Sequence, residues 1–213
     1  MRKYQKSLLD PEQCAVLIID HEPQMYFGVE SHSRRCIMHN TAALIKSAKT
    51  FGVPVILTTV TEKEFSGPMA KLITDYAPEC VPIDRTAINC WEDDNLKNAV
   101  VATKRKKLIL SGLWTEACIT FPALCMLEDN YEVFVVEDAC GGASKAAHCT
   151  AMKRMVQAGV VPMTWQQVLL EFQRDWSNKD TYQAVMDIVT EYGGAYGLGV
   201  EYAQAMVPAY AQG

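Results

Sequence analysis

The run of residues 107–138, KLILSGLWTEACITFPALCMLEDNYEVFVVED, constrains the fold of this chain more than any other stretch. It begins with an apolar run closed by Gly112 and ends with a second run at residues 133–138, and both are typical of strands buried in a parallel sheet. The residues between them leave room for one crossover helix, which parallel strands require. Cys118 then follows the turn at the carboxyl end of a strand, where open α/β sheets place their ligand sites.

The remaining apolar runs extend this unit into one doubly wound, Rossmann-like parallel sheet with helices on both faces. A length of 213 residues with 49% apolar content suffices for a single domain with a buried core. Apolar runs and helical spacing predict further strands at residues 14–19 and 53–59, an edge strand at 160–163, and helices at 41–49, 92–102, 144–159, 164–172 and 178–192.

Three stretches lack a regular pattern. Residues 31–40 are polar and poorly patterned, and residues 60–92 are broken by glycine and proline, as in the functional loops of many α/β enzymes. Residues 193–213, rich in Gly, Ala and Tyr, are predicted to form a tail that packs on a neighbouring subunit or is mobile. We therefore predict a domain at residues 1–192 followed by this tail.

Charge and composition exclude several classes of partner. The net charge of −5 is spread along the chain, and the one basic cluster, at residues 104–107, precedes a strand, so neither nucleic acid nor a membrane surface is an expected partner. No apolar run approaches the ~20 residues that span a bilayer. Eight cysteines in a chain of this class are expected to be reduced, mostly buried side chains, and we predict a cytoplasmic protein.

Two residues at predicted strand ends carry the chemistry that the pattern alone suggests. Asp20 ends the first strand, and because the carboxyl ends of parallel strands share one edge, it can converge with Cys118. A free thiol with a pKa of ~8.5 needs help to act as a nucleophile. Thr115 as an N-cap would place Cys118 in the first helical turn, and Pro122 indicates a kink or a later regular start. The plainer alternatives are a small buried cysteine and a solvated or paired aspartate.

Several motifs in order along residues 10–180 resemble those of the isochorismatase-like cysteine hydrolases, specifically their YcaC-like branch. They are AVLIIDH at residues 15–21, RTAINCWED at 85–93, SGLWTEACITFPAL at 111–124, MTW at 163–165 and RDW at 174–176. The resemblance implies the isochorismatase-like fold and a catalytic triad of Asp20, Arg85 and Cys118. It also implies a non-proline cis peptide at Leu113–Trp114 and an oxyanion site formed by the backbone N–H groups of Trp114 and Cys118.

Two positions depart from the pattern of the resembled family. Arg85 stands where most of the superfamily has lysine; an arginine stays protonated, so it can stabilise a thiolate but cannot carry a proton, which leaves proton transfer to Asp20. Glu22 stands where relatives often carry glutamine. A helix start and a cation beside Cys118 would lower its pKa below the free value, which we state as an expectation.

The resemblance implies hydrolysis of a small amide-like C–N bond through a Cys118 thioester, and because the sequence shows no metal-ligand cluster we expect neither metal nor cofactor. The substrate would be a small molecule, and the resemblance to YcaC-like proteins implies a homo-oligomer, with an octamer as the expected form. The predicted substrate-pocket residues are Phe27, Asn89, Trp91 and Thr115. The aromatic members of this set also suit a simple core or interface position.

Three alternatives remain open at this point. A nicotinamidase-type amidase would lack the usual histidine-containing metal cluster, because no histidine follows the second strand until His148. A papain-like pair would require His21 or His148 beside Cys118. A non-catalytic assembly or redox-sensing protein would use a reactive Cys118 without turnover.

Overall fold

Six parallel strands form the centre of the molecule, which is described by a computed structural model that covers residues 8–207. The strand order is β3-β2-β1-β4-β5-β6. The bounds are β1 Cys14–Ile19, β2 Val55–Val60, β3 Ile83–Arg85, β4 Lys107–Gly112, β5 Glu132–Val136 and β6 Val161–Met163. The central strands β1 and β4 are buried along their whole length, as their continuous apolar sequences predicted.

Helices cover both faces of this sheet, so the predicted doubly wound architecture is confirmed. One face packs against α1, α2, α3, α7 and α8, and the other against α4, α5 and α6. The bounds are α1 Pro23–Phe27, α2 Arg34–Thr50, α3 Lys71–Tyr76, α4 Asp94–Thr103, α5 Thr120–Glu128, α6 Lys145–Ala158, α7 Trp165–Gln173, α8 Lys179–Tyr192 and α9 Ala195–Met206.

The register of the three central strands brings their carboxyl ends together. Ile19 at the end of β1 lies beside Thr58 of β2 and Gly112 of β4. A Cβ atom on Gly112 would lie 2.3 Å from the carbonyl oxygen of Ile19, so only glycine fits where β4 ends. This close approach sets the position of the turn that carries Cys118.

Side-chain caps explain why several predicted helix starts are correct. The Asp93 carboxylate accepts a hydrogen bond from the Leu96 N–H, and the Ser144 hydroxyl accepts one from the Ala147 N–H. Thr164 and Gln167 form a reciprocal capping box at the start of α7. These caps satisfy backbone donors that the first helical turn leaves without partners.

The structure corrects the prediction in two stretches and adds a helix to a third, the predicted tail. Helix α2 begins at Arg34 rather than at residue 41, because Ser33 caps it and Ile37 anchors its first turns in the core. The irregular residues 60–92 contain α3 and β3, and β3 is too short, at three residues, to show a pattern. In the predicted tail, α9 packs on the chain's own α8, while residues 208–213 lie outside the described part.

No helix within residues 8–207 combines the length and apolarity needed to cross a membrane. All eight cysteines lie in this range and all are free thiols in the structure. Cys36 is exposed, whereas Cys118 is buried.

Candidate active site

Asp20 occupies the first position after β1 and is fully buried. Its backbone has a left-handed conformation, with φ at 56°, a region that aspartate tolerates better than most residues with a side chain. The Asp20 N–H donates to the Thr58 carbonyl at 3.0 Å, so the chain leaves the sheet only after one further ladder contact with β2. The turn directs the carboxylate across β2 toward the end of β3.

Arg85, the last residue of β3, forms a bidentate ion pair with Asp20. Its Nη1 and Nη2 donate to Asp20 Oδ1 and Oδ2 at 2.7 and 2.8 Å, and both side chains are 0% exposed. Nη1 also donates to the Thr58 hydroxyl and the Thr59 carbonyl, and Nη2 donates to the Ile88 carbonyl. The pair is therefore rigid, and both oxygens of the carboxylate are engaged.

Cys118 lies in a wide helical turn, Thr115–Ile119, that joins the end of β4 to α5. The Leu113–Trp114 peptide before this turn is cis, as the resemblance implied. Cys118 is 4% exposed, and its thiol lies close enough to the Asp20 carboxylate for each group to shift the pKa of the other. The backbone N–H of Trp114 also interacts with the Cys118 sulfur.

The expectation of a lowered thiol pKa is wrong for this structure. Burial raises the pKa of Cys118, and the negative charge of Asp20 raises it further, while Arg85 opposes both effects without overcoming them. The physical reason is that the charge of Arg85 is already neutralised by Asp20, so the thiol does not face an unpaired cation. Cys118 is therefore a protonated thiol at neutral pH.

The same burial shifts both members of the ion pair. Burial raises the pKa of Asp20, an effect that the two hydrogen bonds from Arg85 oppose. Burial alone would lower the pKa of Arg85, but its hydrogen bonds with Asp20 and the charge of that carboxylate raise the pKa overall. Arg85 thus stays a cation, and Asp20 is the group at this site that can exchange a proton with the thiol.

The helix-start prediction at Thr115 needs correction. Trp114 occupies the N-cap position, and the Thr115 hydroxyl instead lies 2.8 Å from His148 Nδ1. The prediction for Pro122 is confirmed, because the regular helix α5 starts only at Thr120 and Pro122 falls in its first turn.

The predicted pocket residues lie in different environments. Asn89 caps the turn Cys90–Glu92 and donates to Glu92 Oε1 and Cys125 Sγ, and Trp91 donates to Asp129 Oδ2 at 2.7 Å. Thr115 is buried, whereas Phe27 is 72% exposed at the end of α1. Asn89, Trp91 and Thr115 thus have structural contacts, and contact with a substrate stays a prediction for all four.

Glu22 is a buried residue that reasoning from the pattern alone did not place at the site. It is 0% exposed, and its Oε1 accepts hydrogen bonds from the Val60 N–H at 2.9 Å and the Ser66 hydroxyl at 3.2 Å. The sequence feature that could have indicated Glu22 as part of the site is the unbroken polar run Asp20-His21-Glu22 directly after a buried strand. All three side chains are fully buried, which requires partners for each.

Neither candidate histidine forms a pair with Cys118. The ring nitrogens of His21 lie 2.6 Å from the Tyr26 hydroxyl and 3.1 Å from the Ser111 hydroxyl, and burial lowers the pKa of His21 to about 3, so the ring is neutral. His148 contacts Thr115 and lies 3.7 Å from Glu137 Oε1. The papain-like alternative therefore has no geometric support. Within the described chain, no group of three or more His, Cys, Asp or Glu side chains is arranged to hold a metal ion.

The sheet order, the buried Asp20–Arg85 pair and the Cys118 turn agree with a family match. The isochorismatase domain matches residues 14–167, a range that contains all six strands and the three site residues. The chain belongs to the isochorismatase family and is a hydrolase of that class.

Within this family, the chain is similar to YcaC proteins. The probable hydrolase YcaC of Escherichia coli K12 is 38% identical over 171 residues, which cover 80% of this chain and 82% of that protein. The structure of YcaC from Pseudomonas aeruginosa has a TM-score of 0.88 at 33% identity, covering 94% of this chain and 98% of that one. The E. coli YcaC structure has a TM-score of 0.87 at 34% identity, with 93% and 98% covered.

Replacing Arg85 by Met should destabilise the protein strongly at neutral pH. The substitution leaves the Asp20 carboxylate buried without a cation, and breaking a buried pair in this way costs about 3–5 kcal/mol. The loss should shrink as the pH falls, because a protonated Asp20 needs no cation. Urea unfolding of the wild type and the variant measures the difference.

Two further variants sharpen this test. Adding Asp20→Asn to Arg85→Met should restore part of the lost free energy of unfolding, since it removes the unpaired charge. Lys71→Met breaks an exposed pair with Asp75 and should change stability by no more than about 0.5 kcal/mol. A loss below about 1 kcal/mol for Arg85→Met alone would contradict the importance of the buried pair.

Proposed function

We propose that this protein hydrolyses a small amide-like C–N bond through a thioester on Cys118. The observation that carries the proposal is the buried Asp20 carboxylate, which Arg85 holds by two hydrogen bonds and whose charge acts on the buried thiol of Cys118. A thiol proton donor, a carboxylate acceptor and a fixed cation lie together at the carboxyl edge of the sheet, where α/β enzymes bind their ligands. The substrate within the amide class stays open.

In the first step, Asp20 removes the Sγ proton of Cys118 as the sulfur attacks the substrate carbonyl carbon. We place proton removal during the attack rather than before it because the pKa of the thiol is raised, so the resting site does not contain a stable thiolate. The backbone N–H groups of Trp114 and Cys118 are proposed to stabilise the resulting oxyanion. Arg85 stays protonated and keeps the carboxylate in place.

In the second step, the protonated Asp20 gives its proton to the leaving nitrogen, the C–N bond breaks, and a thioester remains on Cys118. Asp20 then removes a proton from a water molecule that attacks the thioester carbonyl. The C–S bond breaks, the sulfur regains the proton from Asp20, and the carboxylic acid leaves. One carboxylate therefore serves as base and acid in each half of the reaction.

A relative supports the assignment of a reactive nucleophile. YcaC from Pseudomonas aeruginosa has been solved with hexane-2,5-diol and covalent acrylamide. Acrylamide is an electrophile that carries a primary amide, so it combines the two properties that the proposed site requires. We propose that Cys118 of this chain reacts with the same compound.

The redox-sensing alternative has less support. Sensor thiols are exposed and have a low pKa, whereas Cys118 is 4% exposed and its pKa is raised by burial. The nicotinamidase-type alternative differs from the proposal only in its substrate and in the usual metal cluster, so nicotinamide belongs in any panel of test amides.

The labelling of Cys118 by acrylamide should respond in opposite directions to two substitutions. Asp20 raises and Arg85 lowers the pKa of Cys118, so the pH midpoint of labelling should move to lower pH in Asp20→Asn and to higher pH in Arg85→Met. Turnover of an amide should nevertheless fall by about 10²- to 10⁴-fold in Asp20→Asn, because the leaving nitrogen loses its proton donor. Peptide mass spectrometry and an amide-hydrolysis assay measure the two effects.

The exposed Cys36 provides an internal control, since its labelling rate should be equal in all three proteins. Equal Cys118 labelling in Asp20→Asn and Arg85→Met would refute the proposed electrostatic coupling. Full hydrolytic activity in Asp20→Asn would remove Asp20 from proton transfer.

We also propose that the chain assembles into a homo-octamer. The E. coli YcaC structure is described as an octameric hydrolase of unknown specificity. In the present structure the outer face of α9 exposes the large apolar side chains of Leu198, Tyr202 and Met206, more than a helix on a monomer needs.

Light scattering should therefore give a mass of about 190 kDa, which corresponds to eight chains of 23.7 kDa. Replacing Leu198 and Met206 by Gln should reduce this mass if the α9 face lies in an interface. The matched replacement of the exposed Val81, far from α9 in the sequence, should leave the mass unchanged. A mass of one chain for the wild type would contradict the proposal.

A cytoplasmic location is proposed on the state of the cysteines. All eight are free, including the exposed Cys36, and exposed free thiols persist in reducing compartments.

A further inference from the structure

A second carboxyl group lies beside Asp20 and takes no part in the proposed proton transfers. Glu22 follows Asp20 by two residues and precedes α1 as its N-cap residue. Its side chain reaches the end of β2 and the turn Glu62–Ser66, where Oε1 accepts the hydrogen bonds from Val60 and Ser66. Its Oε2 is buried and has no hydrogen-bond partner within residues 8–207.

The surroundings of Glu22 offer no charge that would balance a carboxylate. Within the described residues, no lysine, arginine or histidine forms an ion pair with it. Arg85, the cation at this edge of the sheet, uses both terminal nitrogens on Asp20. A buried, unpaired carboxylate is costly, and two neighbouring carboxylates rarely ionise together.

We propose that Glu22 is a positioning residue that works as a neutral carboxylic acid, and that its ionisation at alkaline pH inactivates the site. In the neutral form it ties the turn Glu62–Ser66 to the end of β1 and leaves Asp20–Arg85 as the charged pair beside Cys118. In the ionised form it adds a second negative charge next to Asp20.

The groups that face Glu22 favour this assignment. Burial raises the pKa of Glu22 to about 8, and the charge of Asp20, which faces it from the end of β1, contributes in the same direction. Tyr26 faces it from α1; burial raises the pKa of that phenol and the charge of Glu22 adds to the effect, so Tyr26 stays neutral. The groups from β2 and the following turn are the uncharged Val60 N–H and Ser66 hydroxyl.

Ionisation of Glu22 would act on catalysis through its neighbours. Attack by Cys118 places negative charge on the substrate oxygen, and a further negative charge close to Asp20 opposes that step. It would also raise the pKa of the Cys118 thiol, because negative charge disfavours the thiolate. The effect on turnover rests on the proposed function, whereas the protonation state of Glu22 and its effect on the thiol do not.

Two measurements on Glu22→Gln and the wild type test the proposal. Gln keeps the size and polarity of the neutral acid but cannot ionise, and Glu64→Gln on the adjacent turn, where the side chain is exposed, serves as the matched control. In carbon NMR of protein labelled at the glutamate carboxyl carbons, one resonance should titrate near pH 8, and it should be absent only in Glu22→Gln. Titration of every glutamate near the ordinary value of 4.5 would overturn the proposal.

The second measurement is the pH dependence of acrylamide labelling at Cys118. Well below pH 8 the rates of Glu22→Gln and wild type should be equal, and above pH 8 the variant should label several-fold faster, because its thiol then faces one negative charge fewer. Glu64→Gln should follow the wild type throughout. A rate ratio that stays at one across this range would overturn the proposal, because a purely structural role would not change the pH profile.

The two proposals can fail separately. If no amide is hydrolysed but the NMR titration and the labelling ratio behave as expected, the hydrolase proposal fails and the assignment of Glu22 stands. If an amide is hydrolysed with the same alkaline limb in Glu22→Gln and wild type, the assignment of Glu22 fails and the hydrolase stands. Should Glu22→Gln not fold, the titration of the wild type still decides the protonation state.

Discussion

The buried ion pair between Asp20 and Arg85 is the interaction on which the rest of the site depends. Its two parallel hydrogen bonds at 2.7 and 2.8 Å join the end of β1 to the end of β3 across β2. The pair fixes the position of the carboxylate near Cys118. Because Asp20 balances the charge of Arg85, that positive charge is not free to stabilise a thiolate. The site therefore holds Cys118 as a thiol, and the mechanism that we propose relies on proton transfer at the moment of attack.

The sequence predicted the centre of the sheet and the edge strand β6, but it did not predict β3 at the other edge. β1, β4 and β5 are continuous apolar runs, and a run of this kind is read correctly because both faces of the strand are covered by helices. β3 pairs with one neighbour and contains only three residues, so it leaves no periodic signal. The first turns of α2 were missed because a single buried residue, Ile37, anchors a segment that otherwise looks polar.

The site was predictable in part for the same physical reason. The shared carboxyl edge of a parallel sheet brings Asp20 and Cys118 together without any knowledge of side-chain contacts. Arg85 could be placed only through the resemblance to a family, because its contact with Asp20 requires β3 to lie beside β2. The predicted direction of the Cys118 pKa shift was wrong. The shift depends on burial and on the balance of the Arg85 charge by Asp20, and neither can be derived from the spacing of residues in the sequence.

Acid-quenched peptide mass spectrometry during the turnover of a small amide tests the Cys118 thioester most directly. We expect the acyl group of the substrate on the peptide that contains Cys118, present during turnover and lost when the substrate is exhausted. Turnover without any adduct on Cys118, or with the adduct on another of the eight cysteines, would contradict this mechanism.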